Sequence, residues 1–480
     1  MKKSKAMKKG YWDRWNDDVQ AQIDENIEKY RKADGVFKIK GLKAGTKVKV
    51  EQIKHDFIFG AHIFNFDQLG TDERNEKYKA LYGDIFNSAT VALYWKTLEP
   101  EEGAPRFEQT YRDTAEFWNT VAEPKQEPHW RRPAVDPVID FCESKGIRIH
   151  GHPLVWGSYK WHYPAWLYNK LPLEWRSRLQ LDVAHDRSPA RPVFEQYTAE
   201  QLHKMLPGFA EYLEATMAKR IAEIAFRYGK RIHSWDVCNE SATDYGLGLM
   251  EPDAPICQSH YGPMPGDYTF RAFKLAESML PAGAKLNINE YNLGQAYVDQ
   301  ITDLRKRNCK IDIMGAQMHL FDPQTCLDIA DGKTEVQSPE AVRKTMARLS
   351  TMDLPIHLSE ITITAPNNDA RGQEIQAVIA RNLYRLWFST EKMMGITWWN
   401  VVDDCGAPGE PAVSGLFSRN MEPKPAYHAL EELIKGEWMT KCDVKAAVGG
   451  TVKFRGFRGA YRLSWTAENG KKQEQTVYLK

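Results

Sequence analysis

Eight short apolar runs, each followed by an amphipathic or polar stretch, constrain this chain more than any other feature. They are IFGAHIF (58–64), IFNSATVAL (85–93), IRIHGH (147–152), IHSWDV (232–237), KLNIN (285–289), IMGAQ (313–317), PIHLSE (355–360) and ITWWNVV (396–402). Helical stretches such as VDPVIDFCESKG, FAEYLEATMAKRIAEIAFRYG and IQAVIARNLYRLWFS lie between them. Strand, helix, strand at this cadence argues for a parallel sheet in an α/β fold. Eight repetitions favour a closed (β/α)8 barrel, the TIM barrel, over an open sheet. An open doubly wound sheet is the competing arrangement, but no GxGxxG follows an early strand. A chain of 480 residues accommodates such a barrel plus a smaller appendage.

The flanks break the cadence. Residues 12–33 read as a polar helix, and GVFKIKG and KVKVEQI alternate as strands around the turn-like LKAGT. From about 437 the chain again turns β-like. TVKF alternates in one phase and FRGAYRLSW in the other, with Gly456 at the change, which suggests a bulge or turn. The expected organisation is an N-terminal helix and β-hairpin (1–56), a catalytic barrel (57–436) and C-terminal strands (437–480). The hairpin and the C-terminal strands would pack into one small β module that braces the barrel, with carbohydrate binding as the alternative role. Two further segments, 108–131 and 177–198, carry extra Pro, Trp and charge and read as long loops at the barrel mouth.

The 65 basic and 64 acidic residues leave a net charge of +1, which points away from nucleic acid and suits a neutral ligand. Fifteen Trp and 21 Tyr supply flat rings suited to the apolar faces of sugars, although most such rings serve as core. The seven cysteines are scattered without a CxxC, so they read as mainly buried free thiols. No apolar run is long enough to span a bilayer.

In a parallel barrel the reactive groups sit where strands end. Glu240 follows IHSWDVCN, and Glu360 closes PIHLSE. Either one alone could be a helix N-terminal residue favoured by the dipole. As a pair at one mouth they meet the requirement of glycoside hydrolysis, in which one carboxyl protonates the leaving oxygen and the other attacks or activates water. Asn239 precedes Glu240; His152, Gln317 and His319 end other strands; Trp156 and Trp399 offer flat walls.

The motifs GHPLVW (151–156), WDVCNE (235–240), NINEYN (287–292), GAQMHL (315–320), LPIHLSE (354–360) and ITWWNVVDD (396–404) occur in this order. Together with GLFSRNMEPKPAYHAL (415–430), they resemble glycoside hydrolase family 10 over roughly residues 57–434. The resemblance implies a retaining, endo-1,4-β-xylanase-like enzyme acting on a β-linked polysaccharide or oligosaccharide by double displacement, with no cofactor or metal. It makes Glu240 the acid/base and Glu360 the nucleophile. It puts Asn239 on the sugar 2-hydroxyl and makes Gln317 and His319 supports of the nucleophile and sugar. His152 and Trp156 would shape the subsite, Trp399 would be its platform, and Tyr291 would lie on the leaving-group side.

The departures fall where substrate is read. The family's Glu-Asn pair and Lys on the second strand become Thr90, Val91 and Tyr94 if Trp95 and Glu99-Pro100 are the anchors. Tyr94 would then line the glycone side. The family's His after the third-strand Trp is Gly157, and its second Trp after the eighth strand is missing from DDCGAPGE. Losing polar partners weakens unsubstituted xylan and leaves a variant or decorated glycan in contention.

Two rival readings accompany this one. His150 and His152 share a strand face as an HxH metal pair would, and His319, Asp403 and Asp404 could complete a metal-dependent barrel hydrolase. A catalytically silent carbohydrate-binding barrel is the other. The substrate class leads to an expected extracellular or periplasmic setting, although MKKSKAMKKGYWDRW lacks the apolar core of a signal peptide. Endo or exo action and oligomeric state leave no mark in the sequence.

Overall fold

The computed structural model describes residues 3–158, 161–178, 197–259 and 262–480. Its centre is a closed (β/α)8 barrel. The eight strands are Ile58–His62, Ser88–Ala92, Arg148–His152, Ser234–Asn239, Lys285–Glu290, Ile313–Leu320, Ile356–Ile363 and Met393–Trp398. Each pairs in parallel with its sequence neighbour, and the eighth pairs with the first to close the ring. All eight coincide with the apolar runs, though several bounds move.

The eighth strand starts three residues earlier than its run. Gly395 makes that possible, because a Cβ there would lie 2.5 Å from Ile58 Cβ on the neighbouring strand. The seventh continues past Glu360 to Ile363, so Glu360 sits inside the strand and does not close it. Helices Val135–Ser144, Phe209–Tyr228, Tyr268–Met279, Gln295–Lys306 and Ala370–Phe388 cover the outside. Their starts and stops follow local chemistry. Asp369 accepts from Gly372 N at 2.7 Å at one N-terminus, and Gly332 (φ 72°) ends Pro323–Asp331 in the left-handed conformation.

The N-terminal segment forms two helices, Lys9–Arg14 and Asp17–Arg31, because Asn16 accepts from Val19 N and starts a new one. The second lies on Ala370–Phe388, where Arg385 pairs with Asp24. Arg31 donates to the carbonyls of Phe388 and Met393, both at 2.7 Å.

The strands Lys32–Lys38 and Lys47–His55 do not form the expected hairpin with each other. Lys32–Lys38 pairs antiparallel with Thr451–Phe457. Lys47–His55 inserts between Lys441–Lys445 and Gly459–Thr466, and Lys472–Leu479 completes that four-stranded sheet. The alternating Val48, Val50, Val452, Phe454, Tyr461 and Leu463 need a second layer to be buried, and two strands alone cannot supply one. The chain passes from one layer to the other after Phe457, at Gly459 (φ 145°), and Gly456 stays within its strand. His55, Phe57, Phe59, Phe388, Trp438 and Phe457 form one aromatic cluster between this module and the barrel, with Phe388 and Trp438 stacked at 4.0 Å.

The 108–131 segment is more ordered than a long loop. It holds short helical turns at Tyr111–Asp113, Ala115–Thr120 and Pro124–Gln126. Trp118 is fully buried against His129 and Trp130, and Arg106 pairs with Asp113. Most of the 177–198 stretch lies outside the described residues. Among the described residues no helix is long and apolar enough to cross a membrane. Six of the seven cysteines are buried and all are free.

Candidate active site

The fourth and seventh strands each carry one extra residue, Val237 shortly ahead of Glu240 and Ser359 directly ahead of Glu360. On the fourth strand Asp236 pairs with Asn287 and Cys238 with Ile288, so Val237 is left over. On the seventh, Leu358 pairs with Ala316 and Glu360 with Gln317, so Ser359 is left over. The eighth strand skips the same place, pairing Ile396 with Leu358 and Trp398 with Ile361. Such bulges re-aim the side chains that follow them. Asn239 and Asn289 become direct neighbours across the fourth and fifth strands.

Glu240 follows at φ 55°, a backbone state that non-glycine residues seldom adopt, and its N–H donates to Asn289 O at 2.8 Å. The turn behind it is pinned by Glu290. That buried carboxylate accepts from Ala242 N at 2.8 Å and from Tyr291 N and Asn292 N, both at 2.9 Å. Burial pushes Glu290 up to about 8, against those three backbone donors.

Asn289 ties the centre together. Its Nδ2 donates to Asn239 Oδ1 and to Glu360 Oε1, each at 2.8 Å, while its Oδ1 accepts from Ser359 Oγ. Gln317 Nε2 lies 3.3 Å from Glu240 Oε1 and 3.5 Å from Asn239 Oδ1. His152 Nε2 is 3.7 Å from one Glu360 oxygen, and His319 Nε2 is 3.5 Å from the other. Thr362 Oγ1 holds the far side of the His319 ring at 3.0 Å from Nδ1. Burial pushes the Glu360 carboxyl up to about 8. His152 and the Asn289 hydrogen bond lower it, while the charges of Glu240 and Asp236 add to the rise.

Asp236 lies beneath this layer, 2.9 Å from His150 Nε2 and 2.8 Å from His152 Nδ1. Burial opposes its charge, but the two imidazoles outweigh it and hold Asp236 well below the usual carboxylate range. The HxH pair is therefore committed to a shared carboxylate. Asp403 pairs with Lys424 at 2.9 Å and Asp404 with Lys125 at 2.5 Å. Among the described residues no group of three or more His, Cys, Asp or Glu side chains is arranged to hold a metal ion.

Trp399, Trp156 and Tyr94 form an aromatic wall with Phe64, joined by Trp161. Trp399 meets His62, Phe64 and His152 edge-on at 5.1, 5.3 and 5.5 Å. Tyr94 meets His152 at 5.4 Å and Trp156 at 6.0 Å. Tyr291 stands at the rim, 42% exposed. The structure thus brings Glu240, Glu360, Asn239, Gln317, His319, His152, Trp156, Trp399 and Tyr94 to one end of the barrel.

Several residues here were not singled out from the sequence. Asn289 ends the run KLNIN and was accessible to the same strand-end filter that found Gln317. Asp236, Glu290 and Ser359 lie within the quoted motifs. Arg131 and Arg132 had no local signal, because only the folded 108–131 segment carries them to the wall. Arg131 (φ 62°) sets Nη2 2.9 Å from His62 Nε2 and 3.1 Å from Asn400 Oδ1, with Nη1 3.6 Å from Glu410 Oε2. Arg132 lies on Tyr94, its guanidinium carbon 3.8 Å from the ring centroid.

The family model described as "Glycosyl hydrolase family 10" matches residues 50–433. The chain belongs to this family. It is 23% identical over 460 residues to "Endo-1,4-beta-xylanase 2" of Arabidopsis thaliana, an alignment covering 92% of this chain and 33% of that protein. To "Endo-1,4-beta-xylanase C" of Paenibacillus barcinonensis it is 25% identical over 418 residues, covering 81% and 32%. The chain thus spans about a third of the length of these two relatives. The solved xylanase 10B of Thermotoga petrophila RKU-1, in complex with xylobiose, superposes with a TM-score of 0.53 at 18% identity, covering 80% of this chain and 95% of that one. That likeness concerns the barrel fold.

The structure gives surroundings to the positions expected to depart from the family 10 pattern. Thr90 and Val91 are each 2% exposed in the second strand and bring no charged group. Gly157 leaves no room for a longer side chain, since a Cβ would lie 2.9 Å from Ser259 Oγ. The paired strands Ile256–Ser259 and Gly262–Pro265 bring Ser259 and Met264 to this spot.

Proposed function

We propose that this family 10 member is a retaining glycoside hydrolase acting on β-linked, xylan-like glycans, with Glu240 as acid/base and Glu360 as nucleophile. One observation carries the reading. The amide of Asn289 bridges Asn239 Oδ1 and Glu360 Oε1, while Gln317 reaches Glu240 Oε1, so two carboxylates from separate strands share one hydrogen-bonded frame. This frame of amides fixes the positions of the two carboxyls relative to each other.

Protonated Glu240 donates to the glycosidic oxygen as the bond from the anomeric carbon breaks, and the leaving sugar departs as an alcohol. The ionised Glu360 oxygen bonds to the anomeric carbon, forming a glycosyl ester. Water then enters and Glu240, now a carboxylate, takes its proton. The oxygen of that water attacks the anomeric carbon, and Glu360 leaves with its electron pair. His152 and His319, flanking the two Glu360 oxygens, steady that carboxylate as it leaves. Trp399, Trp156 and Tyr94 offer the sugar faces to stack on.

The resemblance to enzymes named endo-1,4-beta-xylanases supports xylan-type substrates, and the altered second strand supports a shifted preference among them. NMR on xylo-oligosaccharides should detect the β-anomer as the first product, and Glu360→Ala should abolish turnover. The α-anomer as first product, or full turnover by Glu360→Ala, rejects the reading.

A further inference from the structure

The aromatic wall carries a cation that catalysis does not use. Arg132 lies flat on Tyr94 and is only partly buried, with Phe64 5.0 Å from its guanidinium carbon. Among the described residues its guanidinium makes one hydrogen bond, from Nη1 to Arg131 O at 2.8 Å. Among the described residues no carboxylate lies within ion-pair distance of it. Beside it, Arg131 is 2% exposed, and its Nε has no hydrogen-bond partner among the described residues.

Glu410 is the one carboxylate in this corner paired with either arginine among the described residues. It stands 3.6 Å from Arg131 Nη1, and it also accepts from Asn400 Nδ2 at 2.9 Å and Ala407 N at 2.8 Å. His62 adds no charge, because burial, then Arg131 and Arg132, keep it far below its ordinary value. Two guanidiniums thus face one carboxylate, a surplus of one positive charge. Keeping a cation away from bulk water without its counter-ion is costly, and a bound anion relieves that cost.

The position is as informative as the charge. Tyr94 separates Arg132 from His152, and His152 touches Glu360. A group reaching Arg132 therefore belongs to the glycan bound on the wall, beyond the sugar at the nucleophile.

We propose that Arg131 and Arg132 form a subsite for an anionic substituent of the glycan, a uronic carboxylate or a sulfate ester, on the side of the wall lined by Tyr94. The proposal rests on the glycosidase reading above and names its substrate class. A guanidinium offers paired N–H donors that match either oxyanion, which a neutral xylose unit cannot exploit.

The test is calorimetric titration of the full chain carrying Glu360→Gln, with and without Arg132→Met. The ligands are a xylo-oligosaccharide bearing one glucuronic acid, the same molecule with that carboxyl reduced to an alcohol, and a sulfated xylo-oligosaccharide. The acidic ligand should bind at least about tenfold tighter than its reduced twin. Arg132→Met should cut that gap below about threefold, and Arg132→Lys should restore part of it. Salt near 1 M should shrink the gap as well. Tighter binding of the sulfated ligand than of the glucuronate would identify sulfate as the oxyanion.

Equal affinity for the acidic and reduced ligands, an undiminished gap in Arg132→Met, or binding of no ligand overturns the subsite. Wild-type turnover of unsubstituted xylohexaose reports separately on the reaction. Turnover without acidic preference removes only the subsite, and acidic preference without turnover of any ligand removes only the glycosidase reading.

Discussion

Burial pushes the Glu360 carboxyl up to about 8 from an ordinary 4.5, so its proton is held more tightly in the folded protein than in the unfolded chain. With the folded value raised, the stabilising contribution of the neutral acid is fully present below 4.5 and is lost as pH rises through about 8. Each pH unit inside that window costs at most about 1.4 kcal/mol. Glutamine keeps the shape and cannot ionise, so Glu360→Gln should be more stable than the wild type at pH 8 by about 2–4 kcal/mol. The difference should close near pH 4.5. Denaturant unfolding of both proteins at the two pH values checks this, and a pH-independent difference would contradict it. The same residue shows how far local reading reaches. Glu240 and Glu360 were legible because each follows an apolar run. Asn289, which bonds both Asn239 and Glu360, was passed over although it ends a run in the same way, since its importance arises from two other strands.

Among the elements, the strand Lys47–His55 leads almost directly into the first barrel strand, and the aromatic cluster at this junction joins the two cores. Trp438 is 2% exposed, stacked on Phe388 at 4.0 Å and on Phe59 at 5.7 Å. Trp438→Ala should cost about 3–5 kcal/mol, because the removed ring leaves a cavity that two cores must close together. Denaturant unfolding at neutral pH measures it, and a loss below about 1 kcal/mol would mean the junction collapses freely. The bulges at Val237 and Ser359 belong to this scale too. Hydrophobic patterning revealed the strands that hold them but not the extra residue in each, since a bulge is defined only against a neighbouring strand. The hairpin expected in the N-terminal segment failed for a related reason. Alternation shows that a strand has an inner face, and it does not name the partner.

At the scale of the whole molecule, the N- and C-terminal segments complete one another. Lys47–His55 lies between Lys441–Lys445 and Gly459–Thr466, and Lys32–Lys38 pairs with Thr451–Phe457. A chain truncated after residue 436 would keep two strands with every antiparallel partner gone and the faces of Val48 and Val50 uncovered. Such edges recruit other chains. The truncated protein should aggregate or elute as oligomers in size-exclusion chromatography with light scattering. A soluble monomer with full turnover would show that the barrel does not need this module.

The order of apolar runs, the helices between them and the carboxylates that close or follow two of those runs are local properties, repeated every few residues, and from them the sequence by itself determined the barrel and singled out Glu240 and Glu360. Contacts between residues far apart in the chain obey no such period. The pairing of terminal strands, the amide frame around Glu240 and Glu360, and the placement of Arg131 and Arg132 on the Tyr94 wall were therefore decided only by tertiary structure. In each case a side chain's role depends on what the fold brings beside it.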